Sequence, residues 1–167
     1  MSRRAVANLV ALLIARLACV LLAAAGQPWL GTSILLTVTL ASVRSTNHAK
    51  LLAIAAAAGF AGEWALHSAG ITGYPPQAWT NAPIPLWTVA LWLNVASIVR
   101  AAFPLLQDRF VLITMLGALA GPASYWTEER LGAITLNPDP AVWITGTGAL
   151  CLVAAPLFTR LAEPLGS

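Results

Sequence analysis

The chain has 167 residues, of which 59% are hydrophobic and only 9% are charged, and its formal net charge is +3. Soluble domains carry charged side chains at about 25% of positions. A water-soluble fold of this length has too little interior to bury so much apolar surface. The composition therefore predicts an integral membrane protein. The basic balance does not indicate a nucleic-acid partner, because membrane topology accounts for the positions of the basic residues.

Long apolar stretches recur along the whole sequence, as is typical of α-helices that cross a bilayer. Short polar or Pro-rich connections separate them. The predicted spans are residues 5–26, 29–43, 51–70, 85–103, 110–127 and 141–159. We therefore expect an all-α membrane protein, a compact six-helix transmembrane bundle that forms one domain over residues 1–167.

The first span has the outline of a secretory signal peptide, with basic residues before an apolar run and small residues after it. Arg16 lies in the middle of that run, whereas the apolar region of a signal peptide is uniformly apolar. We therefore expect a retained first helix. The two cysteines, Cys19 and Cys151, lie within apolar spans and are expected to pack as small hydrophobic residues.

The connections differ in charge. Residues 44–50 are expected to form a polar turn, residues 71–83 an uncharged aromatic loop, and residues 128–140 an acidic outer connection whose first residues are a solvated helix end. With the N-terminus inside, a single Arg, Arg130, lies outside, and the inner segments carry Arg3, Arg4, Arg44, Lys50, Arg100, Arg109 and Arg160. Lys and Arg favour the cytoplasmic side of a membrane. Both termini are therefore expected in the cytoplasm.

Two charges fall inside the predicted spans at matching depth. Arg16 follows Arg4 by almost the same number of residues as Glu63 follows Lys50. Both charges are then about 18–20 Å from the inner boundary of the bilayer. Because an unpaired charge at that depth is costly, we predict an Arg16–Glu63 pair.

Other unusual residues fall near the same level. Trp87 and Pro122 are also about 20 Å from the inner boundary, and His67 and Tyr125 lie about one turn further out. These four residues, with Arg16 and Glu63, are the predicted lining of a ligand pocket open toward the outer leaflet. The Gly121-Pro122 kink is expected to form part of its wall.

Glu63 and His67 share a helix face, because they are four residues apart. Two interpretations remain open: an acid/base or ligand-orienting pair, and an Arg16–Glu63–His67 clamp that only fixes helix packing. A metal site with Glu128 or Glu129 as further ligands has too few ligands near one another, so no metal and no cofactor are predicted.

Four segments carry a resemblance to a known family: AAAGQPWLG (23–31), GEWALHSAG (62–70), PLWTVALW (85–92) and GPASYWTEERLGA (121–133). Together they resemble a small bacterial integral inner-membrane family catalogued as domain of unknown function 2878. The resemblance implies a six-helix bundle in the bacterial inner membrane and assigns no activity. Its members are often encoded near fatty-acid-modifying enzymes of the cyclopropane-synthase type, which implies a link to membrane lipid modification.

Three functions are compatible with these features. The first is binding of a lipid or small apolar ligand in the outer-leaflet pocket, which assists membrane lipid modification, with membrane lipids and a lipid-modifying enzyme as partners. The second is the substrate-binding subunit of a vitamin-type transporter. The third is an intramembrane enzyme that uses Glu63 and His67 as acid and base.

Overall fold

The computed structural model describes residues 3–43, 45–78, 83–106 and 109–162. Arg44 and Trp79, which the sequence places in connections, lie outside these residues. The described residues form six α-helices: α1 (Arg3–Ala24), α2 (Pro28–Ala41), α3 (Thr46–Ser68), α4 (Leu86–Leu106), α5 (Phe110–Arg130) and α6 (Pro140–Ala162).

Helices α1, α3 and α6 contain stretches that are long and apolar enough to cross a membrane, whereas the apolar helix α2 has only 14 residues. Large apolar side chains are exposed along the helices: Ile14 is 64% exposed, Val111 69% and Leu119 70%. Soluble proteins rarely expose so much contiguous apolar surface. These features indicate a membrane protein.

Helix α4 is central to the packing. The helices pair in chain order, α1 with α2, α3 with α4 and α5 with α6, and α4 also packs against α1, α2 and α6. The fully buried Asn94 of α4 donates through Nδ2 to Leu12 O of α1 at 3.2 Å and to Thr39 Oγ1 of α2 at 3.4 Å. A polar bond between helices is favoured where water is absent, so Asn94 holds three helices together.

The four helices α3 to α6 are longer than the spans that the sequence predicted, and for two of them the structure shows the cause. Helix α3 begins at Thr46, because the Ser45 side chain accepts a hydrogen bond from His48 N at 3.2 Å and caps the helix. Most of the predicted polar turn over residues 44–50 is therefore helical. Helix α5 continues to Arg130 and ends just before Gly132, whose φ of +83° suits a helix C-terminus. The first residues of the predicted acidic connection thus belong to α5.

Two short strands join the connections that follow α3 and α5. Strand β1 (Thr72–Gly73) pairs antiparallel with β2 (Thr135–Leu136). Asn137 N donates to Ile71 O at 2.9 Å, and Leu136 N donates to Glu129 Oε1 at 3.3 Å. The alternation needed to predict a strand cannot appear in two residues, so the sequence indicated only loops here.

Glycines permit close helix contacts at two places, between α5 and α6 and between α3 and α4. A Cβ at Gly117 would lie 2.5 Å from Ala155 Cβ, and a Cβ at Gly121 would collide with the Cys151 side chain. Helix α5 therefore packs directly on the α6 backbone. A Cβ at Gly59 of α3 would overlap the Trp92 side chain of α4, so this glycine makes room for the indole.

Candidate functional site

A cleft of about 390 Å³ lies where α5 and α6 face α1, α3 and α4. Helix α5 contacts α6 extensively and α4 at few points, which leaves space between them. Along α5 the cleft runs from Ile113 to Glu128, about 22 Å of helix. Pockets for small molecules have volumes of about 300–1,000 Å³, so this cleft has the size of a ligand site.

One end of the cleft carries an ion pair. Arg16 Nη2 of α1 lies 2.9 Å from Glu128 Oε1 of α5 and 2.5 Å from Ser124 Oγ. Ser124 Oγ donates to Glu128 Oε1 at 3.0 Å. The two α5 residues can meet because they are four positions apart on one helix face. Glu128 is 6% exposed, so it is held inside the protein by these two partners.

A second carboxylate, Glu63 of α3, lies in the same cleft and is 4% exposed. Its Oε1 accepts from Tyr125 OH at 2.5 Å and from Trp92 Nε1 at 2.9 Å. Its Oε2 accepts from Tyr74 OH at 2.9 Å. Hydrogen bonds to a charged acceptor are stronger than neutral ones, and three of them stabilise this carboxylate in place of a cation.

Tyr74 comes from the connection after α3 and turns inward to reach Glu63. Burial raises the pKa of the Tyr74 phenol well above its usual range, and the neighbouring Glu63 carboxylate raises it further. The hydroxyl therefore keeps its proton and acts as a donor. The sequence placed Tyr74 in an uncharged aromatic loop over residues 71–83, but its hydroxyl is bound inside the protein.

The predicted Arg16–Glu63 pair is wrong, because Arg16 pairs with Glu128. Both predicted partners do line the same cleft. Counting residues from the start of each span placed Arg16 and Glu63 at one level, but this count carries no information on which helices are neighbours. Glu128 was expected to be a solvated helix end, and it is buried because α5 extends past the predicted end of the span.

The structure brings three of the six predicted pocket residues to the cleft: Arg16, Glu63 and Tyr125. Pro122 lies on a different face of α5, in a surface groove with Trp126 and Trp143. The predicted wall is therefore formed by Gly121 and not by Pro122.

His67 and Trp87 are outside the cleft lining. His67 is half-buried, and its Nδ1 lies 3.1 Å from Thr72 O, so its ring is turned toward the connection that follows α3. Trp87 is fully buried and donates through Nε1 to Ala78 O at 3.0 Å. Its ring packs edge-on against Tyr74, which contacts Glu63. Trp87 therefore supports the site through Tyr74 and does not face a ligand.

Sequence reasoning missed Glu128 and Ser124 as members of the site. One signal was present for both. Ser124 and Glu128 are four residues apart, and Tyr125 lies between them. A helix continued by one turn would have placed all three within the bundle.

Beyond the polar end, the cleft is apolar. Its walls include Val95 and Val99 of α4, Ile113 of α5 and Phe158 of α6. Leu13 of α1 and Leu116 of α5 also line it and are 49% and 48% exposed. The cleft therefore opens sideways between α1 and α5, at a surface covered with apolar side chains.

The chain's sequence matches a model of the family described as protein of unknown function (DUF2878), over residues 5–157. The chain belongs to this family. The resemblance inferred from the four segments is thus confirmed. No curated protein and no solved structure is significantly similar to this DUF2878 member.

Chemically, the DUF2878 cleft offers one cation, two carboxylates and the hydroxyl groups of Ser124 and Tyr125 at one end of an apolar cleft. Within the described ranges, no group of three or more His, Cys, Asp or Glu side chains is arranged to hold a metal ion. The arrangement suits a molecule with one polar end and an apolar body.

Proposed function

We propose that the protein binds an amphiphilic lipid or a small apolar ligand with a polar end in this cleft. The observation that carries the proposal is the shape and polarity of the cleft. It is elongated and apolar, and it ends at Arg16, Glu128 and Glu63. Preformed pockets that are mostly apolar with a few fixed polar groups are typical ligand sites.

The side opening at Leu13 and Leu116 supports a ligand that arrives from the bilayer. Both residues lie at the cleft and are about half exposed. A lipid chain can pass between apolar side chains without leaving the hydrocarbon, whereas a charged solute cannot. Service to a lipid-modifying enzyme of the same membrane remains the biological role that the family resemblance implies.

We propose further that all six helices cross the bacterial inner membrane, with both termini in the cytoplasm. The support is the Lys and Arg distribution together with the packing of α2, α4 and α5 among the three long apolar helices. A cysteine at the exposed Pro138 should be labelled by an impermeant maleimide in intact cells. Labelling only after lysis would contradict this topology.

The acid/base enzyme is less well supported. Glu63 has three hydrogen-bond donors, and His67 is directed to Thr72 O outside the cleft. The two residues therefore do not face one substrate. For the transporter subunit, none of the described contacts favours a polar vitamin over a lipid.

Mass spectrometry of the molecules that copurify in mild detergent tests the binding proposal. Ala120 of α5 lines the cleft, and its neighbour Leu119 is 70% exposed on the outside. Ala120→Trp should fill the cleft and remove the copurifying lipid, whereas Leu119→Trp adds the same ring outside and should retain it. Equal lipid content in both variants and in the unmodified protein would refute binding in the cleft.

A further inference from the structure

One terminal nitrogen of the Arg16 guanidinium is bound by the protein and the other is not. Its Nη2 contacts Glu128 and Ser124, whereas its Nη1 is buried and has no hydrogen-bond partner among the described residues. A buried donor without an acceptor is unfavourable. Because Arg16 lines the cleft, the simplest acceptor for Nη1 is an oxygen atom of the bound molecule.

The charges around Arg16 limit what that oxygen can belong to. Arg16 shares the cleft with two carboxylates, Glu63 and Glu128. When all three groups are ionised, the cluster carries a net charge of −1. A carboxylate or phosphate group would add a second negative charge in a medium that screens poorly. A cationic group would bring the net charge to zero, but it has no lone pair that could accept a hydrogen bond from Nη1, which would stay without a partner.

The neighbouring donors are already engaged. The Tyr125 and Trp92 donors both bind Glu63, and the Ser124 hydroxyl donates to Glu128. Among the described residues that line the cleft, Arg16 Nη1 is the buried side-chain donor without an acceptor, so it is the group that a ligand oxygen can satisfy. An uncharged carbonyl, ester or hydroxyl oxygen satisfies Nη1 and leaves the charge of the cluster unchanged.

We infer that the ligand is an uncharged lipid that carries an acceptor oxygen, such as an ester carbonyl, at one end of an apolar chain. The oxygen accepts from Arg16 Nη1, and the chain runs along α5 toward Ile113 and Phe158. This inference rests on the proposed function and adds to it the charge class of the ligand.

Three probes with the same oleyl chain test the charge class: monoolein (uncharged ester), oleate (anionic) and oleylamine (cationic). Each competes with radiolabelled monoolein for the full-length protein in nanodiscs at neutral pH. Monoolein should compete at least about tenfold better than either charged probe. Oleate that competes as well as monoolein, or better, would overturn the inference while leaving binding in the cleft intact.

Two variants test whether the preference for an uncharged ligand depends on Arg16. Glu128→Gln removes one negative charge and should raise the affinity for oleate about tenfold, with little change in the affinity for monoolein. The Arg16→Met, Glu128→Gln double variant removes the donor together with its charged partner and should lower the affinity for monoolein about tenfold. Unchanged monoolein affinity in a folded double variant would show that Nη1 does not bind the ligand.

A control separates local from global charge. Arg130→Gln alters the net charge at the exposed end of α5, outside the cleft lining, and should leave the ratio of monoolein to oleate unchanged. If Arg130→Gln changes the ratio of monoolein to oleate affinity as much as Glu128→Gln does, the preference results from the overall charge of the protein and the inference is overturned. If no probe binds, or if Ala120→Trp binds all probes normally, the proposed function itself fails.

Discussion

Separating Arg16 from Glu128 should destabilise the protein strongly. Glu128 is 6% exposed, and the Arg16 side chain is 22% exposed. Removing one partner of a buried ion pair costs about 3–5 kcal/mol. Because Arg16 keeps some exposure, we expect about 3 kcal/mol for Arg16→Met and about 2 kcal/mol for Glu128→Gln, which can still bind Ser124.

The double variant distinguishes a true pair from two independent losses. If the residues compensate each other, Arg16→Met with Glu128→Gln should cost about 3 kcal/mol, a coupling of about 2 kcal/mol. The free energies of unfolding are measurable by SDS titration in mixed micelles. Arg16→Met with Glu63→Gln is the matched control, and its coupling should stay below about 1 kcal/mol. Stronger coupling to Glu63 than to Glu128 would refute the observed pairing.

The remaining predictions concern Glu63 and its donors. Tyr125→Phe removes one of the three donors and should lower the free energy of unfolding by about 2 kcal/mol; a loss below about 0.5 kcal/mol would mean that this bond contributes little. In that variant Tyr74 is the sole tyrosine, and its raised pKa predicts no phenolate absorbance through pH of about 10, where ionisation would contradict its burial. The same shift predicts that stability contributed by the protonated phenol is lost as pH rises above about 10. Gly59→Ala should displace Trp92 at a cost of about 1–3 kcal/mol and alter the near-UV circular dichroism, and an unchanged spectrum would exclude a close contact there.

The sequence was informative about the level of a residue along its helix and much less about the direction in which its side chain faces. Counting residues from Arg4 and Lys50 placed Arg16 and Glu63 at one level, and both residues do line one cleft. Which carboxylate meets Arg16 depends on which helices are neighbours. The choice of neighbouring helices is decided by packing, such as the contact of Gly117 and Gly121 with α6. The hydrophobic periodicity of a single sequence does not show which helices will pack together.

The helix ends were predictable only roughly. Hydropathy ended the fifth span at Thr127, because Glu128, Glu129 and Arg130 are charged. The local burial that retains Glu128 in the helix is a tertiary effect, provided by Arg16 from a distant part of the chain. Tyr74 was misplaced for a similar reason, since it directly follows β1, and the pairing of β1 with β2 joins two loops that are far apart in the sequence.

The order in which the chain is synthesised gives the Glu63 contacts a second meaning. Tyr74 follows Glu63 by 11 residues, Trp92 by 29 and Tyr125 by 62. In the proposed topology, α3 therefore reaches the translocon with its carboxylate unpartnered, and the three donors arrive one after another. A charge at the centre of an inserting helix costs about 2.5–3.5 kcal/mol, which favours early contact between the nascent helices.

The partner of Arg16 is synthesised later after it than any donor is after Glu63, because Glu128 lies 112 residues further along the chain. In the proposed topology, a nascent chain that stops before α5 therefore has Arg16 and Glu63 in the membrane without the hydrogen-bond partners that α5 supplies. The arrival of α5 supplies Glu128 to one and Tyr125 to the other. In the proposed topology, α5 thus completes the contacts of both charged residues in one late step, and α6 then packs against α5.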